Sequence, residues 1–181
     1  PLELGSLRLV EAPAPLRAKG RGAKRSMVLH YHLFKNAGTS VDEVLRSNFG
    51  AGWANAEFPP RRRQPNVHQI EAWITDHPEI CCLSSHTALF PPPRLEGLTV
   101  MPVIFVRHPL DRIHSAYEFE RRPAADTPGA KLAKEAGFAD YVRARLAKQD
   151  GQVRNFHIAR FAGYPEAAGA TPLERALATV D

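Results

Sequence analysis

Apolar residues first gather at 26–34, where Met27, Val28 and Leu29 run on into Tyr31, Leu33 and Phe34. A short apolar run of this kind predicts a strand inside a sheet. Lys35-Asn-Ala-Gly-Thr39 breaks it. From about Ser40 the period changes: Val41, Val44, Leu45 and Phe49 fall on one helical face before Gly50 and Gly52 end it. Val67, Ile70 and Ile74 mark a second helix over 67–77, closed by Pro78, and 80–85 reads as a second buried strand. A third strand is predicted over 100–106, where Pro102 requires an edge position or a start near Val103. Pro109 then opens a helix whose apolar face is Leu110, Ile113 and Tyr117. The segment 50–65 reads as a mobile basic loop and 122–136 as another loop, while 138–147 and 172–180 are amphipathic helices.

Strands that alternate with helices predict an α/β domain of three layers, a largely parallel sheet flanked by helices. Residues 1–25 mix Pro, Gly and basic residues without a period and are expected to form an extended lead-in to a single domain, 26–181. With 44% hydrophobic residues in 181, the chain can bury one sizeable core. No run approaches the roughly 18 apolar residues of a membrane span, and no signal-peptide pattern opens the sequence.

The net charge of +5 points to anionic partners. The basic segments are not interleaved with aromatic residues, so a base-stacking surface for nucleic acid is not expected. Cys81 and Cys82 are adjacent within an apolar run and read as buried free thiols. The eight His and two Cys show no spacing that suggests metal ligation, so no metal is expected.

Two segments carry anion-binding chemistry. At 35–40 a strand passes through a short loop into a helix, whose first N–H groups lack partners and whose dipole favours negative charge. Gly38 lets backbone approach an anion, Lys35 adds a cation, and Thr39 and Ser40 add hydroxyls. The order differs from a Walker A loop, since Lys35 precedes Gly38 and no later strand ends in a magnesium-binding Asp. The third strand ends instead in Arg107, beside the helix that Pro109 opens, with Ser115 two turns further on. A guanidinium there faces the crevice where open α/β sheets bind ligands.

These segments resemble a known family. His32-Leu-Phe-Lys35-Asn-Ala-Gly38-Thr39-Ser40 is similar to the His-x-Pro-Lys-Thr-Ala-Gly-Thr-Ser signature of carbohydrate sulfotransferases related to the heparan sulfate 2-O- and 6-O-sulfotransferases. Arg107-His-Pro109-Leu-Asp-Arg112-Ile-His-Ser115-Ala-Tyr117 resembles that family's Arg-Asp-Pro-x-x-Arg-x-x-Ser-x-Tyr segment. The likeness covers 30–122 well and 155–163 weakly. It implies a P-loop NTPase-like sulfotransferase fold and the donor 3′-phosphoadenosine 5′-phosphosulfate. Lys35, Asn36, Ala37, Gly38, Thr39 and Ser40 would hold the 5′-phosphosulfate end, and Arg107 and Ser115 the 3′-phosphate, without a metal. Phe34 stands for the family's Pro, Asn36 for its Thr and His108 for its Asp, the last removing a carboxylate beside Arg107. Family members continue beyond this point, so the chain reads as a short or truncated member.

Transfer to a hydroxyl needs a base. His86 follows the second strand, so it should emerge at the same sheet edge as Lys35 and Arg107, and its place before Arg107 resembles that of the catalytic His in the 2-O enzymes. Glu118 and Glu120 are rivals, with Glu118 also a candidate for substrate contact; His32 is expected to pack near the loop rather than act as the base. Arg61, Arg62 and Arg63 would meet an anionic acceptor, most simply a carbohydrate. The alternatives are a P-loop kinase using magnesium-ATP, a nucleic-acid-binding module and an inactive nucleotide-binding relative. A chain without a disulfide framework suits the cytoplasm. A Golgi lumen would follow for a domain cut from an anchor.

Overall fold

Alternation along the first strand decides the layering. The structure, a computed structural model, describes residues 25–59, 66–122, 124–162 and 170–180. In β1 (Arg25–Tyr31), Met27, Leu29 and Tyr31 point to one side and are buried with Phe58, Leu83 and Phe90 against Ile70 and Ile74. The latter two belong to α2 (Val67–Asp76). His30 points to the other side, toward Asp42 of α1 (Gly38–Phe49). The sheet is thus held between α1 and α2.

Four strands run parallel in the order β2-β3-β1-β4, where β2 is Trp53–Asn55, β3 is Cys82–Ser85 and β4 is Leu98–Ile104. Pro102 lies on an edge strand, as its missing N–H demands, and pairs in register with Leu29. The expected strand 26–34 stops at Tyr31, because the N–H of Leu33 turns back to the Tyr31 carbonyl (2.9 Å). Strand β2 lies inside the segment expected to be a loop. Its three residues hold as a strand because β3 supplies the ladder, which continues on both sides through Cys81 N–H to Gly52 O and Ala56 N–H to Ser84 O. Cys82 is buried, which pushes its thiol up to about 12, and Cys81 is half-buried; both are free.

A second helical layer follows. It comprises α3 (Pro109–Glu120), α4 (Pro128–Glu135) and α5 (Phe138–Ala147), while α6 (Phe156–Phe161) and α7 (Pro172–Val180) pack on each other. Helix α4 replaces the loop expected over 122–136. The Thr127 hydroxyl caps it by accepting the Ala130 N–H, and Pro128 stands in its first turn. Ile113, Tyr117, Ala133 and Tyr141 form its core. Glu120 is buried there, accepting from both the Arg145 guanidinium (2.9 Å) and the Tyr141 hydroxyl (2.8 Å). That pairing gives Glu120 a structural role and removes it as a base. Gly129 makes room for the same guanidinium, which occupies the place a Cβ would take.

Candidate functional site

The C-terminal ends of β1, β3 and β4 deliver loop 35–37, His86 and Arg107 to one edge of the sheet. Lys35 and Ala37 adopt positive φ (61° and 65°), so the chain between β1 and α1 is tightly curled. The backbone N–H groups of Lys35, Ala37, Gly38 and Thr39 find no acceptor among the described residues, and α1 begins without a side-chain cap. Free donors in a concave loop at a helix start form an anion cradle. The His32 imidazole fills the space where a Cβ of residue 38 would stand, so only glycine fits.

Asn36 departs from the expected ligand role. Its side chain is 2% exposed and lies outside the pocket lining. Its Oδ1 accepts from the Arg107 backbone N–H (2.8 Å) and from His157 Nε2 (3.0 Å), while its Nδ2 donates to the Phe34 carbonyl (3.0 Å). An amide offers donor and acceptor at once, which lets one residue tie the loop, the end of β4 and α6 together. Arg107 is therefore placed by Asn36 rather than by the carboxylate that His108 lacks.

A pocket of about 510 Å³ opens above the cradle. Lys35, Ala37, Gly38, Thr39 and Ser40 line it together with Arg107, Ser115 and His86, and with His32, Phe34 and Phe119. The Lys35 ammonium lies 4.8 Å from the centre of the Phe119 ring. Burial, with repulsion from Arg122 and Arg107, holds its pKa below the usual lysine value. Cations that repel one another around one space are stabilised by an anion between them.

His86 is fixed by a residue that local sequence does not suggest. Glu57 Oε1 lies 2.7 Å from His86 Nδ1 and also accepts the His86 backbone N–H (3.2 Å), and Oε2 accepts from the Thr87 hydroxyl (2.7 Å). Burial raises the Glu57 pKa, but the bonds from Thr87 and His86 outweigh it and hold the carboxyl below its ordinary value. An ionised carboxylate only accepts, so Nδ1 donates to it, and in the neutral tautomer Nε2 is the ring position that can accept a proton. Buried Asn66 aligns the two segments, donating to the carbonyls of Phe58 (2.9 Å) and Thr87 (2.6 Å) and accepting the Leu89 N–H (3.1 Å). The His86 ring stacks on His32, centroids 3.9 Å apart.

His32 is packed beside the loop, its Nδ1 2.7 Å from Asp42 Oδ2, and His30 Nδ1 lies 2.8 Å from Asp42 Oδ1. These donor atoms lie within 4.8 Å of one another, a grouping that the spacing along the chain does not reveal because Asp42 arrives from the facing helix. Glu118 is exposed on α3, near Arg121 (3.7 Å), and is not among the residues that line the pocket. Arg61, Arg62 and Arg63 lie outside the described residues.

The buried groups predict an acid response. Burial holds His30 and His157 below the ordinary 6.5, despite the pull of Asp42 on His30. As pH falls, the unfolded chain takes up these protons first, so their stability is complete above 6.5 and declines as pH drops through 6.5 toward the folded values. Asp42 and Glu57, held below 3.8 and 4.5, extend the loss at lower pH. The unfolding free energy from urea titration should therefore fall between about pH 7 and pH 5, by at most about 1.4 kcal/mol per pH unit for each proton; a value independent of pH would exclude this.

No family model and no solved structure matches the chain. An uncharacterized protein of Archaeoglobus fulgidus is 41% identical over an alignment of 160 residues that covers 84% of this chain and 63% of that protein. The chain thus spans less than two thirds of this relative's length.

Proposed function

We propose that the chain is a sulfotransferase with a P-loop-like fold that takes a sulfuryl group from 3′-phosphoadenosine 5′-phosphosulfate and passes it to an acceptor hydroxyl. One observation carries the reading: residues of both anion-binding segments and His86 line the same pocket. A ligand with phosphates at two ends suits two separate anion sites. The loop N–H groups, Lys35, Thr39 and Ser40 hold the 5′ end, and Arg107 and Ser115 the 3′-phosphate.

In the reaction the sulfur–oxygen bond to the 5′-phosphate breaks as a bond from sulfur to the acceptor oxygen forms, in line. Lys35 neutralises charge on the departing phosphate oxygen. The acceptor's proton goes to His86 Nε2, and the Glu57 carboxylate stabilises the imidazolium that results. Phe34 and Phe119 meet edge to face at 5.6 Å, an apolar wall on which a sugar ring can pack, in keeping with a carbohydrate acceptor. Among the described residues no helix is long and apolar enough to cross a membrane.

A magnesium-ATP kinase is the rival. It needs a carboxylate to hold the metal, and none lines the pocket among the described residues. Calorimetric titration separates the two. 3′-Phosphoadenosine 5′-phosphate should bind without metal and more tightly than magnesium-ATP. Lys35→Ala and Arg107→Ala should each weaken it by about tenfold or more, the loss of one charge-assisted contact. Preference for magnesium-ATP would overturn the proposal.

A further inference from the structure

Beside the phosphate pocket lies a second one of about 370 Å³, between α3 and α6. Ile113, Phe156 and Ile158 give it apolar walls; Arg112, Asn155 and His157 supply its polar groups, and no carboxylate lines it among the described residues. Arg112 is 1% exposed. Its Nη2 donates to the Gln152 carbonyl, its guanidinium lies 4.1 Å from the centre of the Phe156 ring, and its Nη1 has no partner. Arg160 approaches the same ring at 5.3 Å. Neither arginine has a carboxylate partner among the described residues, whereas the neighbouring buried Arg145 has Glu120.

A buried cation without a counter-ion is costly, and proteins rarely leave one uncompensated. A neutral carbonyl and an aromatic face offset part of that cost, and the net positive field reaches the pocket that Arg112 lines. The start of α3, with Pro109 in the pocket wall and no side-chain cap, adds the positive end of a twelve-residue helix.

We infer that this pocket binds an anionic ligand with an apolar body, at a site separate from the phosphate pocket. The field of the arginines attracts the charged group across the wall, and the apolar walls take the remainder. The link from His157 to Asn36 (3.0 Å) sets the site directly behind the phosphate loop.

Benzoate, acetate and inorganic sulfate, titrated calorimetrically into the full chain, test this without reference to any nucleotide. Benzoate should bind at one site and more tightly than acetate. Arg107→Ala, in the other pocket, should leave benzoate binding unchanged. Truncating Arg112 risks unfolding, so Asn155→Asp is the sharper variant: residue 155 is exposed, its φ of 52° suits Asp as well as Asn, and the new carboxylate supplies the missing counter-charge. It should weaken benzoate by about tenfold or more. Absence of benzoate binding, or binding lost in Arg107→Ala and kept in Asn155→Asp, would overturn the inference. Either result leaves the sulfotransferase reading to its own bisphosphate titration.

Discussion

His86→Asn is expected to lower turnover by about 10²–10⁴-fold, the range of a lost general base, while leaving affinity for 3′-phosphoadenosine 5′-phosphate unchanged. The measurement is release of that bisphosphate from the phosphosulfate donor in the presence of chemically desulfated polysaccharide. The expectation rests on geometry. Nδ1 is committed to Glu57 at 2.7 Å, so the only basic position of the ring that can serve an acceptor is Nε2, and the ring lines the pocket. Glu57→Gln should give a smaller loss in turnover, because the amide keeps its shape but no longer selects the tautomer or stabilises the imidazolium. Equal turnover in wild type and His86→Asn would remove His86 as the base. A parallel loss of nucleotide affinity would make it a binding residue instead.

The second large effect is expected at Gly38. A Cβ there meets the His32 ring, so Gly38→Ala must displace either the loop or the imidazole. Overpacking of this kind costs about 1–3 kcal/mol of stability. Ligand binding should suffer more: the free N–H groups lose their convergence, and His32 stacks on His86, the proposed base. Bisphosphate binding should weaken by about 10²-fold, the loss of two or more good hydrogen bonds to a charged group. Adding His32→Ala removes the clash and should restore part of the affinity, a coupling that a double-mutant cycle measures. Normal binding by Gly38→Ala alone would mean that the cradle does not hold the nucleotide.

Much of this site was legible in the chain because its chemistry is local. Gly38, Thr39 and Ser40 stand within five residues of Lys35, and Ser115 within eight of Arg107, each pair on a strand-to-helix junction that hydrophobic period alone reveals. The parallel character of the sheet followed from the same alternation, though not its strand order, and of the two readings of Pro102 the edge position holds while the strand starts at Leu98. What escaped was decided at long range. Glu57 stands 29 residues from His86 in a segment without periodicity, and β2 is a strand only because β3 lies beside it. Asn36 looked like one more loop residue; only the folded chain shows its amide turned inward. Thr127-Pro128 was a readable helix start, hidden by the small residues around it.

The inward turn of Asn36 also bears on the order of assembly. Its oxygen joins residues 71 and 121 positions away along the chain, so the anchor under loop 35–37 forms only after two long stretches have been brought back to it. Closing such loops costs chain entropy before any bond returns it. The sheet and α2 can collapse without these bonds. Once β4 has joined β1, Arg107 already lies close to Asn36, so the contact left to complete the polar floor of the site is the one from His157, made only when α6 docks behind the loop.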